Sequence, residues 1–285
     1  MKDPRRSPRS TSLAGVAILV VVVALGAAFL VLRGSGTALG TRECNGAATL
    51  CDFRLDEVTL ATAHNAMNHA EDPFRYPSQE KGIEAQLEDG VRGFLVDAYR
   101  GSVRTAGSEQ IVYTDLNDRR LARLVKAAGS EPARQALDLR EQAGPPAADA
   151  PHDVYLCHQF CELGSIPFRD VVEVLRRFLD ENRGEVVVVV IQDELAAEEL
   201  LPVIEEGGLD PYLATIDPSL PLPVLGSMVE SGRRLVMGLE HGDLGPTIPN
   251  VYDAGLIHAA DVFLARAQRC SATVDELNRR LSAGD

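Results

Sequence analysis

One run of valines constrains the fold of this chain more than any other feature. The stretch "EVVVVVI", residues 185–191, is β-branched and apolar on both faces, which is typical of a strand buried in a parallel sheet covered by helices. The segment before it, 167–184, has apolar side chains at three- and four-residue spacing, a proline near its start and a glycine at its end. This pattern predicts an amphipathic helix, and the helix and strand together predict an α/β fold.

Four further apolar runs predict strands at 58–63, 91–97, 154–157 and 234–239. Each of the five strands ends in side chains that can hydrogen-bond, titrate or bind a metal ion. A (β/α)₈ barrel builds its active site at the carboxyl ends of several strands, whereas an open sheet brings together only the strands beside its switch point. We therefore expect a TIM-type (β/α) barrel with one site at its mouth. The five endings are His64-Asn65, Asp97, His158, Gln192-Asp193-Glu194 and Glu240-His241.

The N-terminus has a run without charged side chains at 13–32, preceded by a basic tail at 1–12. About 20 apolar residues span a bilayer as a helix, and a basic flank stays on the cytoplasmic side. We therefore expect a single-pass transmembrane helix at 13–32, a linker at 33–43, and a domain at 44–285 outside the cytoplasm. A cleaved signal peptide followed by secretion is the alternative.

The segment at about 98–153 interrupts the alternation of strands and helices. Apolar residues between 116 and 128 predict one helix, and a second helical pattern lies near 131–142. We expect a helical insert that forms a lid or rim within the domain 44–285.

Composition limits the partners. The chain has 42 acidic and 28 basic side chains and a formal net charge of −14. A nucleic-acid-binding protein would show a basic surface, so nucleic acid is not expected as a partner. The same acidity disfavours electrostatic binding to anionic lipid, so the N-terminal helix is the expected contact with the membrane.

All five cysteines follow the N-terminal apolar run, and an extracytoplasmic location permits disulfides. Cys44 and Cys51 are close enough to pair. Cys157 and Cys161 either pair with each other, or one of them pairs with Cys270. An odd number of cysteines leaves one thiol over, and a zinc site is disfavoured because the spacings lack a second matched half.

Two histidines, His64 and His158, directly follow apolar runs. A pair of imidazoles at one barrel mouth suits general acid–base catalysis, because an imidazole gains and loses its proton near neutral pH. The sequence contains neither the H-E-x-x-H motif of metalloproteases nor the G-x-S-x-G motif of serine hydrolases.

Five segments, all lying within about residues 44–240, carry a family resemblance: "TAHNAM", "QLEDGVRGFLVDAY", "LCHQFCELG", "FLDENRGEVVVVVIQDE" and "LGSMVESGRRLVMGLE". In this order they resemble the phosphatidylinositol-specific phospholipase C-like phosphodiesterases of the X-domain superfamily, and the chain resembles a membrane-anchored bacterial member. The resemblance implies a distorted TIM barrel that cleaves a phospholipid or a related phosphodiester. Members of the family usually end on a further apolar strand after the region of Cys270, which this sequence does not show, so we expect either a barrel that lacks its last strand or a truncated chain.

The resemblance assigns roles to individual residues. His64 matches the histidine that accepts a proton from the attacking hydroxyl of the substrate. His158 matches the histidine that protonates the leaving oxygen, and Asp97 matches the aspartate of the second strand. These three are the expected catalytic residues. The residues expected at the substrate phosphate are Asn65, Tyr99 and Arg100.

The resemblance leaves metal dependence open. Metal-dependent members have a glutamate two residues before the strand-two aspartate, where this chain has Leu95; metal-independent bacterial members have an arginine two residues after it, where this chain has Tyr99. We therefore consider a site with Ca²⁺ or Mg²⁺, a metal-independent site, and a catalytically impaired barrel that binds a phosphorylated head group or a cell-surface partner. Both ions take oxygen ligands, and the expected ligands are Asn65, Asp97, Asp193, Glu194 and Glu240.

Overall fold

A computed structural model describes residues 43–72 and 74–256. All of the described residues belong to the unit that begins at Glu43. The expected cytoplasmic tail and membrane helix lie outside the described residues, as does Cys270. Within the described ranges, no helix is long and apolar enough to cross a membrane.

The described residues form one sheet flanked by helices. The strands are β1 (Thr62–His64), β2 (Gly93–Ala106), β3 (Glu109–Thr114), β4 (Asp153–Leu156), β5 (Ile166–Pro167), β6 (Val187–Asp193) and β7 (Leu235–Leu239). The α-helices are α1 (Ile83–Glu88), α2 (Asp118–Ala128), α3 (Ser130–Ala143), α4 (Phe168–Glu181), α5 (Leu201–Glu206) and α6 (Leu225–Ser231).

One half of the sheet is parallel. β1 and β6 pair with opposite edges of β2, and β7 pairs with the outer edge of β6. The valine run forms β6, as its two apolar faces predict. In this half, β1, β2, β6 and β7 all run in the same direction, so their carboxyl ends lie at one end of the sheet.

The second strand is longer than the sequence predicts, and its extension changes the topology. Beyond Asp97, β2 continues to Ala106 and pairs antiparallel with β3 on one edge and with β4 on the other. β5 pairs antiparallel with β4. Gly107, with φ 63°, lies in the short turn between β2 and β3. The segment expected to be a helical pair therefore begins with a β-hairpin.

The α/β class is confirmed, but a closed barrel is not observed. In the described part of the chain the sheet follows the order β5-β4-β2-β6-β7, and β5 does not pair with β7. β4 is antiparallel to β2, because β2 extends past its parallel neighbours and the following strands pair back along it. Isolated bridges link Leu235 to Leu213 and Leu239 to Asn250, so the outer edge of β7 is partly covered.

The main core lies between the sheet and α4. Alternate side chains of a strand point to opposite faces, and the odd-numbered residues of β6 point towards the helices. α4 buries its apolar stripe against them, as its periodicity predicts. The buried residues of this contact are Phe168, Val171, Val172, Leu175 and Leu179 from α4 and Val187, Val189 and Ile191 from β6.

The insert packs on the loop that follows His158. Its helices α2 and α3 share an apolar cluster with Ile111 of β3 and with Phe160. Arg140 of α3 forms an ion pair with Glu162, whose side chain is completely buried, and the Arg140 guanidinium lies 3.7 Å from the centre of the Tyr113 ring. Burial raises the pKa of Glu162, and Arg140 opposes this rise.

Arg140→Ala is expected to destabilise the protein by about 3–5 kcal/mol, because removing one partner of a buried ion pair leaves the other charge unpaired. Urea unfolding at neutral pH measures this change. Arg134→Ala is the matched control on the same helix, since Arg134 pairs with Glu131 and Asp138 on the surface and exposed pairs contribute little. Equal losses of stability in the two variants would contradict the buried pair.

Candidate active site

The carboxyl ends of the parallel strands place polar side chains on one face of the sheet. Residues paired across parallel strands point to the same face. His64 pairs with Leu95, and Asp97, two positions further along β2, pairs with Gln192. The Glu240 N–H continues the pairing by donating to the carbonyl that precedes Gln192, at 2.9 Å. His64, Asp97, Gln192 and Glu240 therefore lie on one face at one end of the sheet.

His158 reaches this group from the opposite direction. It follows the antiparallel β4, whose end is held to β2 by a 3.2 Å hydrogen bond from the Cys157 N–H to the Asp97 carbonyl. The Nδ1 atom of His158 lies 3.2 Å from Oδ2 of Asp97. The imidazole is 29% exposed and the Asp97 side chain 10%. The carboxylate thus holds one edge of a ring that remains partly open to solvent, an arrangement that can orient an imidazole for proton transfer.

Glu240 interacts electrostatically with both His64 and Asp97. Burial raises the pKa of Glu240; His241 and His64 lower it, while Asp97 and Asp193 raise it further. Charge interactions of this kind weaken with distance and are screened by water. Glu240 therefore lies within electrostatic reach of both His64 and Asp97, which the strand pairing also places on its face.

Asp193 has a structural role in this arrangement. Its two carboxylate oxygens accept hydrogen bonds from the backbone N–H groups of His241, at 2.9 Å, and Gly242, at 2.8 Å. In the alternation of β6 it points to the face opposite Gln192. Asp193 therefore fixes the turn after β7 and does not lie on the face that carries Asp97.

Two arginines of the insert bind Glu194. Nη2 of Arg123 lies 2.8 and 3.0 Å from the two carboxylate oxygens, and Nε of Arg120 lies 3.7 Å from one of them. Gln192 donates to Glu194 at 3.1 Å, and the Arg120 guanidinium lies 4.6 Å from the centre of the Tyr99 ring. The insert thus brings positive charge beside the strands that carry the site. Sequence reasoning missed both arginines, because Arg123 and Glu194 are 71 positions apart.

The side chains of Tyr99 and Arg100 lie on opposite faces of β2. Tyr99 is 1% exposed; burial raises the pKa of its phenol, and nearby carboxylates raise it further. Arg100 points to the other face of β2, where Nη2 lies 3.0 Å from Nδ1 of His152 and Nε lies 3.4 Å from Glu199. His152 and Glu199 line a separate cavity of about 830 Å³. Arg100 is therefore not brought to Asp97.

Asn65 begins the turn after β1. Its φ is 52°, in the left-handed region where asparagine is enriched among non-glycine residues. The Asn65 carbonyl accepts a 3.0 Å hydrogen bond from the Asn68 N–H, and the residue is 7% exposed. The backbone of this turn is sufficient reason for an asparagine directly after His64.

The expected oxygen ligands do not come together as a dedicated metal site. Among residues 43–72 and 74–256, no group of three or more His, Cys, Asp or Glu side chains is placed to hold a metal ion. Asp193 is bound to two backbone amides and Glu194 to an arginine. Two of the five expected ligands, Asp193 and Glu194, are therefore taken by other partners, and no step below is routed through a metal.

The described residues form two disulfides, Cys44–Cys51 and Cys157–Cys161. Of the pairings left open above, the structure selects the short bridge Cys157–Cys161, whose sulfur-bearing residues are both buried. This bridge closes the five-residue loop that carries His158. The loop that carries His158 is therefore tethered at both ends, to β2 through Cys157 and to the turn that carries Glu162.

The double variant Cys157→Ala, Cys161→Ala is expected to lose about 2 kcal/mol of stability, the chain-entropy value for so short a loop, and to lose activity because His158 is no longer held in place. Cys44→Ala with Cys51→Ala is the matched control, with a similar loss of stability and no loss of activity. Thermal melts and kcat of both variants check this. Full activity without the Cys157–Cys161 bridge would contradict the positioning role.

One of three comparisons with known proteins gave a match. The family model PI-PLC X 1 matches residues 143–254, a segment that runs from the end of α3 past β7 and includes His158, Gln192 and Glu240. No curated protein and no solved structure gave a significant match. The chain is thus similar to the phosphatidylinositol-specific phospholipase C-like family over this segment. His64 and Asp97 precede the matched segment.

Proposed function

We propose that the protein is a phosphodiesterase of the phospholipase C type that cleaves a phospholipid or related phosphodiester with a hydroxyl next to the phosphate. The observation that carries this proposal is the contact between His158 and Asp97 on the sheet face that also carries His64 and Glu240. The match of the family model to the segment containing His158 supports the same class of activity.

In the proposed reaction the two imidazoles act on different oxygens of the substrate. His64 takes the proton of the substrate hydroxyl, whose oxygen forms a bond to phosphorus. The bond from phosphorus to the leaving alcohol breaks, and Nε2 of His158 gives its proton to that oxygen while Nδ1 remains towards Asp97. The products are a cyclic phosphodiester and a neutral alcohol, and proton exchange with solvent restores both imidazoles.

Arg120 and Arg123 are the proposed source of positive charge for the phosphate. The Arg123 side chain is 57% exposed, so part of its guanidinium is open to a ligand. The Arg120 guanidinium, 4.6 Å from the centre of the Tyr99 ring, adds positive charge beside it. Preorganised charge of this kind is often the largest contribution to catalysis. The two arginines would take the place of the arginine of metal-independent family members, at whose position this chain has Tyr99.

Arg123→Ala is expected to lower kcat/KM about tenfold, a loss of about 1.4 kcal/mol of transition-state stabilisation. Arg119→Ala, which removes an exposed arginine of the same helix, is the matched control and should leave kcat/KM within twofold. Steady-state kinetics of both variants at low salt measures the difference. If the two variants behave alike, Arg123 does not contribute to phosphate binding.

A panel of phosphodiesters, assayed with and without chelator, tests the proposed function. We expect turnover of esters that have a hydroxyl adjacent to the phosphate, such as phosphatidylinositol, and none of phosphatidylcholine, which has no such hydroxyl. Chelator should not change the rate, because Asp193 and Glu194 are already bound to backbone amides and to an arginine. Binding of phosphatidylinositol without turnover would instead support a catalytically impaired binding domain.

We also propose that the domain acts outside the cytoplasm, with the apolar run 13–32 as its contact with the membrane. The two disulfides support this location, since such bridges persist in oxidising compartments and are rare in the cytosol.

A further inference from the structure

A small apolar pocket adjoins His158. It has a volume of about 220 Å³ and lies between three segments: the loop after β1, the junction of the insert helices, and the loop that follows β4. His158 is part of its lining. The apolar side chains of the lining are Phe74, Tyr76, Ala127, Ala128, Pro132, Phe160 and Leu163.

The residues that form the walls of the pocket are fixed by the packing around them. Phe160 is 1% exposed and Leu163 8%, so their side chains are fixed by the surrounding core. Gly164 has φ 143°, and a Cβ atom there would lie 2.5 Å from the Phe74 ring. Only glycine at this position lets Phe74 approach the loop that carries His158.

A polar group of the pocket lacks a partner. Asn68 also lines the cavity and is 3% exposed. Its Nδ2 donates to the Tyr76 carbonyl at 2.9 Å and to Oγ of Ser78 at 3.0 Å, which fixes the orientation of the amide. Its Oδ1 is buried and has no hydrogen-bond partner among the described residues. Since buried polar atoms are normally paired, this oxygen indicates a ligand that brings a hydroxyl donor.

We propose that this pocket binds the leaving alcohol of the substrate, an inference that rests on the proposed function. The alcohol is bonded to the oxygen that His158 protonates, so it must lie on the His158 side of the phosphate, where the pocket is. Ligand sites are typically about 300–1,000 Å³, so a cavity of about 220 Å³ holds a group of glycerol size. A free hydroxyl of that group lies near Asn68. A diacylated glycerol lacks this donor and fills the pocket through its carbon atoms alone, with its longer chains extending out of the pocket.

The experiment compares three esters of inositol 1-phosphate: the methyl ester, the glycerol ester and the dihexanoylglycerol ester. The wild type should cleave the two glycerol-based esters with kcat/KM about tenfold above that of the methyl ester, the scale of discrimination that a filled pocket gives. Ala127→Leu narrows the pocket at an exposed helical position and should abolish this preference while leaving the methyl ester within twofold of wild type. Ala122→Leu makes the same change elsewhere on the exposed surface of α2 and should retain the preference.

An unchanged preference in Ala127→Leu, or the same loss of preference in Ala122→Leu, would overturn the pocket assignment. The proposed function would still stand in that case, because the wild type cleaves the esters. Failure of the wild type to cleave any of the three esters would instead overturn the proposed function itself, together with this inference. A preference for the dihexanoylglycerol ester alone identifies a lipid as the source of the alcohol; a preference shared by the glycerol ester identifies a water-soluble diester as an equal source.

Discussion

His158→Ala is expected to lower kcat by about 10²–10⁴-fold, the usual contribution of general acid–base catalysis. The leaving alcohol would depart as an alkoxide without a proton donor, and the imidazole of His158 is the group that Asp97 orients at 3.2 Å. The same loss is expected for His64→Ala, because the attacking hydroxyl would keep its proton. With both imidazoles present, the pH–rate profile should be bell-shaped, since one ring must be neutral and the other protonated.

The control for these variants is His152→Ala. His152 is an exposed histidine in the loop before β4, but it contacts Arg100 and Glu199 on the other face of the sheet. Its removal should change kcat less than threefold. Thermal melts of all three variants should stay close to wild type, since the side chains of His64 and His158 are open to solvent. A rate for His158→Ala within tenfold of wild type would exclude it as the acid.

Asp97→Asn is expected to lower kcat by about 10²-fold or more, with KM little changed, because an amide can no longer hold the imidazole in the orientation and proton state that transfer requires. The substitution keeps the size of the side chain, so the sheet should be preserved. Steady-state kinetics with a soluble short-chain substrate measures the effect.

Asp193→Asn is the control that distinguishes loss of imidazole positioning from loss of stability at the ends of the strands. Asp193 accepts two backbone hydrogen bonds at the end of β6, so its replacement should reduce stability more than kcat. If Asp97→Asn behaved in the same way, with a lower melting temperature and normal kcat, Asp97 would be a structural residue and not the partner of the acid.

Several parts of this fold follow from local patterns. The valines of β6 are apolar on both faces, and the stripe of α4 repeats every three or four residues, so each segment predicts its own structure. The strand endings also predict a common face, because a period of two fixes where each side chain points once a strand is parallel to its neighbour. His64, Asp97 and Glu240 could be grouped in this way.

The direction of β4 could not be predicted from its own residues. It depends on how far β2 extends, and the extension from Ala98 to Ala106 includes glycine, serine and arginine, which break the apolar pattern. The short turn containing Gly107 is the signal that could have revealed the hairpin, since two-residue loops with glycine join paired strands. Once β4 runs antiparallel, His158 still arrives at Asp97, but from the other side.

The neighbours of Glu194 and Arg100 depended on tertiary packing. Glu194 could serve as a metal ligand, a helix cap or an ion-pair partner, and only the placement of α2 selects the third. Arg100 is adjacent to Tyr99 in sequence, yet adjacent strand residues face opposite ways. Adjacency therefore suggested a phosphate ligand where the sheet places an arginine bound to His152.

The central claim is that two imidazoles transfer protons while a hydroxyl of the substrate attacks its own phosphate. Phosphorus NMR of dihexanoyl phosphatidylinositol during turnover tests this most directly. The wild type should first produce a cyclic inositol phosphate, and neither His64→Ala nor His158→Ala should produce it at a comparable rate. Formation of only an acyclic phosphate from the first time point, or equal rates in wild type and both variants, would contradict the mechanism.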